Sequence, residues 1–272
     1  MIRSIKKYLT SSSTRRGIIA VIIFLLFWEI CSRFHLWFGV QVPWIGKIPA
    51  PTSVVQAWIP LLDDAGYWSS WYLSAKRVFS GFLFAMLIGI PFGLILAINR
   101  TAYGIMFPTF EVLRPIPPLA WVPASIIFWP TAEMSIAFVT FLGAFYTIVI
   151  NVLGGAQSID QRYFQAAKSM GSSQWDIFKR IVLPGTVPSI AVGAAVGMGI
   201  TWEVVVAAEM ISGGGSQSGG SGGGLGFFIW NSYLGGSYQQ IVVGMISIGI
   251  AGYISSALIR SIGEYFTPWT RR

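Results

Sequence analysis

Long apolar runs free of charge alternate with short polar segments along almost the whole chain. Residues 78–99, 115–132, 134–159, 181–202 and 210–259 contain no Asp, Glu, Lys or Arg. A helix needs about 20 consecutive apolar residues to cross a hydrocarbon core of roughly 30 Å. These runs are of that order, and the last has room for a span plus a loop. A further apolar run, 17–28, follows a basic segment holding Arg3, Lys6, Lys7, Arg15 and Arg16. The pair resembles a signal peptide, yet Glu-Ile-Cys-Ser-Arg at 29–33 follows and offers no small-residue cleavage site. It reads as an uncleaved first span. The pattern therefore predicts an all-α polytopic membrane protein with six transmembrane helices, near 17–34, 74–98, 103–129, 134–152, 187–211 and 239–259.

Between residues 35 and 74 the pattern is mixed, with Pro43, Pro49, Pro51 and Pro60, the acidic pair Asp63 and Asp64, and Trp44, Trp58, Trp68 and Trp71. Tryptophan favours the headgroup level, so an outer loop with short surface helices is expected. Charge fixes the orientation. On this threading 13 of the 18 basic residues fall on one side, against four on the other (Arg33, Lys47, Lys76, Arg77), and Arg114 lies inside a span. Basic residues are retained in the cytoplasm, which puts both termini there. Residues 1–16 form a cytoplasmic segment and 17–272 a single transmembrane domain.

Composition agrees with this. The chain is 54% hydrophobic and only 10% charged, with a mean hydropathy of +0.66. The net charge of +8 does not indicate nucleic-acid binding, because the basic residues punctuate apolar spans and do not gather on one soluble face. A single cysteine, Cys31, and a single histidine, His35, exclude an internal disulfide and most metal sites.

One substantial cytoplasmic loop is expected, 154–188, and it is polar and helix-capable. Asp160 can cap a helix running through Tyr163, Ala166, Ala167 and Met170, which Gly171 can end. A second helix can run from Ser173 to Ile181 before Pro184 stops it. Two short helices about a glycine bend form a knob presenting Phe164, Met170 and Trp175, suited to a groove on a soluble partner.

Gln165, Ala166, Ala167, Gly171, Ile181, Leu183 and Pro184 occupy the spaced positions of E-A-A-x3-G-x9-I-x-L-P. The segment resembles the EAA loop of bacterial ABC importer permeases, with Gln165 in place of the usual glutamate. The resemblance implies a type I importer permease fold whose loop docks on a separate ATP-binding subunit, Met170 and Trp175 among its contacts. An amide at Gln165 keeps hydrogen bonding but loses charge. Further stretches, Arg-Pro-Ile-Pro-Pro-Leu-Ala-Trp-Val-Pro at 114–123, Ala-Ala-Glu-Met-Ile at 207–211 and Leu-Gly-Phe-Phe-Ile-Trp at 225–230, are similar to the subgroup that imports nitrate, bicarbonate or sulfonates such as taurine. The partners implied are a second copy of the chain, two ATPase subunits carrying ATP and Mg, a periplasmic or lipid-anchored solute-binding protein, and membrane lipid. No cofactor is expected on the chain itself.

Ionisable residues within spans mark a pathway or a buried pair. Glu111, Arg114, Glu203 and Glu209 are the candidates. Arg114 can fork two hydrogen bonds to an oxyanion, while its spacing of three from Glu111 equally allows a structural ion pair. Pro115, Pro117, Pro118 and Pro123 should break that helix. Glu203 and Glu209 are six apart and point in different directions. Thr201, Trp202 and Glu203 are expected along the inner pathway or a dimer seam, and Glu209 near an outer gate. The Gly/Ser-rich loop at 212–237 has the composition of a linker and carries no phosphate-loop motif. An ion-coupled secondary transporter is the competing class, but no internal repeat of the kind such folds carry is evident. A membrane enzyme would need a nucleophile, base or metal set that is not gathered anywhere.

Overall fold

A computed structural model of the chain describes residues 12–39, 43, 45–211 and 223–270. The terminal residues Arg3, Lys6, Lys7, Arg271 and Arg272, the loop residue Trp44, and residues 212–222 of the Gly/Ser-rich loop lie outside the described residues. Every described element is helical: α1 (Ser12–Phe38), α2 (Pro51–Leu61), α3 (Ala65–Ile98), α4 (Arg100–Leu113), α5 (Val122–Phe128), α6 (Ala132–Gln157), α7 (Gln161–Ser169), α8 (Gln174–Ile177), α9 (Leu183–Ile211), α10 (Gly224–Leu234) and α11 (Tyr238–Phe266). Five stretches are long and apolar enough to cross a membrane: Arg15–Leu36, Ala65–Ile98, Ala132–Gln157, Gln174–Ile211 and Tyr238–Phe266.

The sixth expected span, 103–129, is not one helix. It divides into α4, a turn at 114–117, a 3-10 turn over Pro118–Trp121, and α5. Proline lacks an amide donor and disfavours helical geometry in the residue before it. Four prolines within nine positions (Pro115, Pro117, Pro118 and Pro123) enforce the break.

The chain forms two compact units, residues 1–64 with 231–245, and residues 65–230 with 246–272. In the first, α1 is apolar on every face between residues 17 and 28, the composition of a helix surrounded by lipid or protein. Its end is tied to α2 through Glu29, which accepts from the amide and hydroxyl of Thr52 at 3.1 and 2.8 Å. Glu29 also pairs with Arg33, one turn further along α1, at 2.5 Å. Because Ala50 gives α2 no side-chain cap, the Glu29 carboxylate takes that role from another helix, favourably placed at a positive helix end.

In the second unit α6 packs along both α3 and α9. The contact with α3 is close because glycines remove side chains from the seam. A Cβ on Gly81 would lie 2.2 Å from Thr140 Oγ1, and one on Gly93 would lie 2.9 Å from Val152 Cβ. On α9, a Cβ on Gly193 would meet Asn151 Cβ at 2.7 Å. These small residues therefore serve helix packing within one chain.

Helices α6 and α11 run on to Gln157 and Phe266, past the expected ends near 152 and 259, and two further boundaries differ for reasons the packing shows. Helix α3 begins at Ala65 rather than near 74, since Tyr67, Ser70, Ser74, Arg77 and Val78 are all buried on the face that continues to Gly81. Pro184 does not stop the helix that starts at Gln174: a π turn over Phe178–Val182 joins α8 to α9, and the Leu183 amide bonds back to Phe178 O. The widened turn loosens the ordinary hydrogen-bond register, and Pro184 enters at the second residue of α9, where its missing donor does least harm.

Candidate functional site

The segment 154–188 forms a knob built by local signals. The Asp160 carboxylate accepts from the Arg162 amide at 2.9 Å and starts α7. Gly171, at φ +76°, ends it: the Gly171 amide bonds to Lys168 O and the Ser172 amide to Ala167 O, each at 3.0 Å, the hydrogen-bond pair of a Schellman motif. A capping box then starts α8, Ser173 Oγ accepting from the Asp176 amide at 3.2 Å and the Asp176 carboxylate accepting from the Ser173 amide at 3.3 Å. The bend is therefore set by local chemistry: a glycine in the left-handed region and a serine within reach of an aspartate.

The knob has an anchored face and a free one. Ala167, Ile177 and Val182 are buried in one cluster with Ile148, Val152 and Ala156 of α6 and Leu94 of α3, and Phe164 and Phe178 pack against it. Facing outward are Tyr163, Met170 and Trp175, 64%, 77% and 67% exposed. Trp175 stacks on Phe178 with ring centroids 5.5 Å apart, which holds the indole out from the knob. Of the spaced motif positions, Ala167 is buried, Ile181 and Pro184 are half-buried, and Gln165, Ala166, Gly171 and Leu183 are exposed. The small side chain of Ala167 lets α7 lie close on its support, whereas four of the seven motif positions face away from that packing.

The opposite end of α9 carries an ion cluster in which Arg77 and Glu209 are buried and Glu133 lies exposed at the edge. Glu209 is fully buried and accepts from Arg77 Nη1 at 2.9 Å, Ser74 Oγ at 2.8 Å and the Gly226 amide at 2.9 Å. Arg77 Nε donates to Glu133 at 2.9 Å, Nη2 pairs with the other Glu133 oxygen, and Nη1 also reaches Gly223 O at 3.1 Å. Ser74 Oγ in turn accepts from the Leu225 amide at 2.8 Å. Charges taken out of lipid and water must be matched in this way. The cluster joins α3, α6, α9 and the first turn of α10. Gly224 is at φ +84°, and a Cβ there would lie 2.2 Å from Glu209 Oε1. A Cβ on Gly226 would lie 2.2 Å from Val206 O. The glycines at the end of the linker-like loop thus let the Gly226 amide reach the carboxylate and the Leu225 amide reach Ser74.

The expected pathway residues are not brought together. Arg114 pairs with Glu111 at 3.3 Å, with the two side chains 39% and 45% exposed. Thr201 is buried and donates to Gly197 O at 2.8 Å. Trp202 is buried too, its Nε1 donating to Ser255 Oγ of α11 at 3.0 Å, while Glu203 on the same turn is exposed. Glu209 sits in the ion cluster, and its hydrogen-bond partners among the described residues include none of the other candidates. The sequence reading missed Arg77 and Glu133, counting Arg77 as an outer-loop charge. The available signal was the i, i+3 spacing of Ser74, Arg77 and Ser80 running into Gly81.

Known proteins resemble the chain over most of its length. It is 31% identical over 271 residues to the nitrate import permease protein NrtB of Synechocystis sp., covering 96% of this chain and 92% of that one. It is 28% identical over 227 residues to the taurine transport system permease protein TauC of Escherichia coli, covering 82% and 80%. The fold is similar to that of a bacterial ABC transporter involved in the import of the acidic polysaccharide alginate, with a TM-score of 0.56, 16% identity and 99% of both chains covered. Residues 89–272 match the family model for the binding-protein-dependent transport system inner membrane component. Helices of membrane-spanning length, a two-helix knob on a packed base and these likenesses agree: the chain belongs to the family of inner-membrane components of binding-protein-dependent transport systems.

Proposed function

We propose that the chain is the permease subunit of an ABC importer, taking up a small anion of the nitrate, bicarbonate or sulfonate class that a solute-binding protein delivers. On this reading two copies pair, and two ATPase subunits, holding ATP and Mg, dock on the knobs of residues 154–188. The carrying observation is the knob itself, with Tyr163, Met170 and Trp175 outward and Ala167 and Ile177 locked into the helix base. Exposed aromatic and methionine side chains on a rigid support are the usual anchors of a protein interface. The nitrate and taurine permeases among the relatives support an anion.

The helix geometry supplies the coupling. The stretch from Gln174 to Ile211 is continuous, and 38 residues at about 1.5 Å each extend roughly 55 Å. A displacement of the knob is carried along α9 to Glu209, whose partners lie on α3 and α10, and through Arg77 to Glu133 on α6. The far ends of four helices then respond to motion at the knob. Opening that end requires Glu209 or Glu133 to exchange partners, which makes the cluster a discrete latch. This reading gives Glu209 its role near the outer gate through ion pairing and leaves Arg114, at the broken helix, as the preferred contact for the anion, with Glu111, Thr201, Trp202 and Glu203 as the other pathway candidates.

The test is reconstitution. The chain should copurify with an ATP-binding subunit, and vesicles holding the complex and the binding protein should accumulate nitrate, bicarbonate or taurine only with ATP inside the compartment where the knob lies. Uptake driven by an ion gradient with this chain alone would overturn the reading in favour of a secondary transporter.

A further inference from the structure

A cavity of about 600 Å3 lies between the knob and the corner where α3 meets α4. Its lining includes Arg100 at the start of α4, Lys168 on α7, and the carboxamides of Asn99, Gln157, Gln161 and Gln174. Its lining holds no Asp or Glu, and among the described residues neither Arg100 nor Lys168 has a carboxylate partner. Two unmatched cations and four amide groups around one hollow are a donor-rich surface, since Arg offers a planar fork, Lys three donors and each amide two more. The floor is apolar, formed by Ala97, Ala156, Phe164, Ile177 and Val182, so water there is poorly held.

We propose that this cavity binds an oxyanion, gripped by Arg100 on the α3–α4 corner and Lys168 on the knob. The shared chemistry is a phosphate-like group, carried by a free inorganic anion or by the headgroup of an anionic lipid. Its site is separate from the docking face. Gln161, Phe164 and Lys168 form one stripe of α7, spaced by three and four, whereas Tyr163 and Met170, seven apart, form another. A bound anion bridges the knob and the membrane helices, and so ties down the element that must move. The placement of the cavity on the cytoplasmic side rests on the permease reading above; its anion chemistry rests on the lining alone.

The experiment uses the full chain in nanodiscs and needs no ATPase partner, so its failure is distinct from failure of the permease assignment. Thermal unfolding is followed in phosphatidylcholine discs and in discs containing phosphatidylglycerol, each titrated with inorganic phosphate. A ligand that binds the native state raises the unfolding midpoint in a concentration-dependent way. The expected result is stabilisation of the native chain, with apparent affinity at least about tenfold weaker in R100Q/K168Q and intermediate in K168Q, because charge-assisted bonds are lost. Phosphate stabilising both kinds of disc assigns a soluble oxyanion, and stabilisation by phosphatidylglycerol alone assigns a lipid headgroup. K179Q/R180Q, which removes two nearby charges outside the cavity, should respond as the native chain does. The proposal fails if neither ligand stabilises the native chain, or if R100Q/K168Q responds like it, or if K179Q/R180Q loses the response equally.

Discussion

Arg77 Nη1 lies 2.9 Å from Glu209 Oε1, and the two side chains are 3% and 0% exposed. They are 132 residues apart in sequence, and each is placed by a different helix. A buried pair of this kind is hard to lose by halves, because removing Arg77 strands the Glu209 carboxylate without water. R77L should therefore destabilise the chain by about 3–5 kcal/mol, E209L by less because Arg77 keeps Glu133, and R77L/E209L should recover much of the R77L loss. Glu133 should not limit the recovery, since its side chain is 57% exposed and water can replace Arg77 there. A double-mutant cycle on thermal unfolding in detergent measures this, and additive losses would show that the pair is not coupled.

Two glycines at the ends of α10 should respond differently to substitution. Gly236 is at φ +70° with nothing within 4 Å of where a Cβ would stand, whereas Gly224 is at φ +84° with the Glu209 carboxylate in the way. G236A should cost roughly 1–2 kcal/mol, the left-handed strain alone. G224A adds a steric clash and displaces the Gly226 amide that holds the carboxylate, so its cost should be clearly larger. Unfolding midpoints of the two variants decide it; equal losses would mean that α10 shifts away freely.

Much of the architecture was readable from the chain because the forces behind it are local. Charge-free runs marked the long apolar helices, and the clustered prolines from Pro115 to Pro123 marked the broken one. The turns of the knob were legible, since Asp160, Gly171 and Ser173 act within a turn of where they stand, but its face was not: Phe164, expected outward with Met170 and Trp175, packs inward against the helix base and Tyr163 is exposed instead. Arg77 was not legible as a buried residue, because nothing near it in sequence says that Glu209 and Glu133 will close over it. The π turn before Pro184 also escaped, for a proline after a helical pattern ordinarily reads as a stop. What held the helix together there is a change of hydrogen-bond register, which composition does not record.

Arg114 and Glu111 offer a sharper test of the pathway reading. Their 3.3 Å contact joins two half-exposed side chains, and exposed ion pairs contribute only about 0–1 kcal/mol. R114A should consequently leave folding and assembly with the ATPase nearly unchanged while abolishing anion uptake. R114K keeps the charge but not the planar fork, and should retain only a small fraction of the activity. Size-exclusion profiles and uptake assays on the same preparations separate the outcomes; loss of assembly in R114A would make the pair structural.

The knob gives the last prediction, and it turns on which face a residue occupies. Met170 and Trp175 are 77% and 67% exposed and support no core contact beyond the stacking of Trp175 on Phe178. Truncating them should change stability by no more than about 0.5 kcal/mol. Ala167 is different: it is buried at 5% against the helix base, so A167F overfills the seam and should cost about 1–3 kcal/mol. If the exposed pair anchors an ATPase subunit, M170A/W175A should weaken its binding by at least about 2 kcal/mol, near thirtyfold, the loss typical of an interface hot spot. ATP-driven uptake should fall with it while the permease itself stays folded. Binding measured between purified subunits, beside the unfolding midpoint of the permease alone, distinguishes a lost docking face from a collapsed knob. Undiminished binding by M170A/W175A would place the docking surface elsewhere.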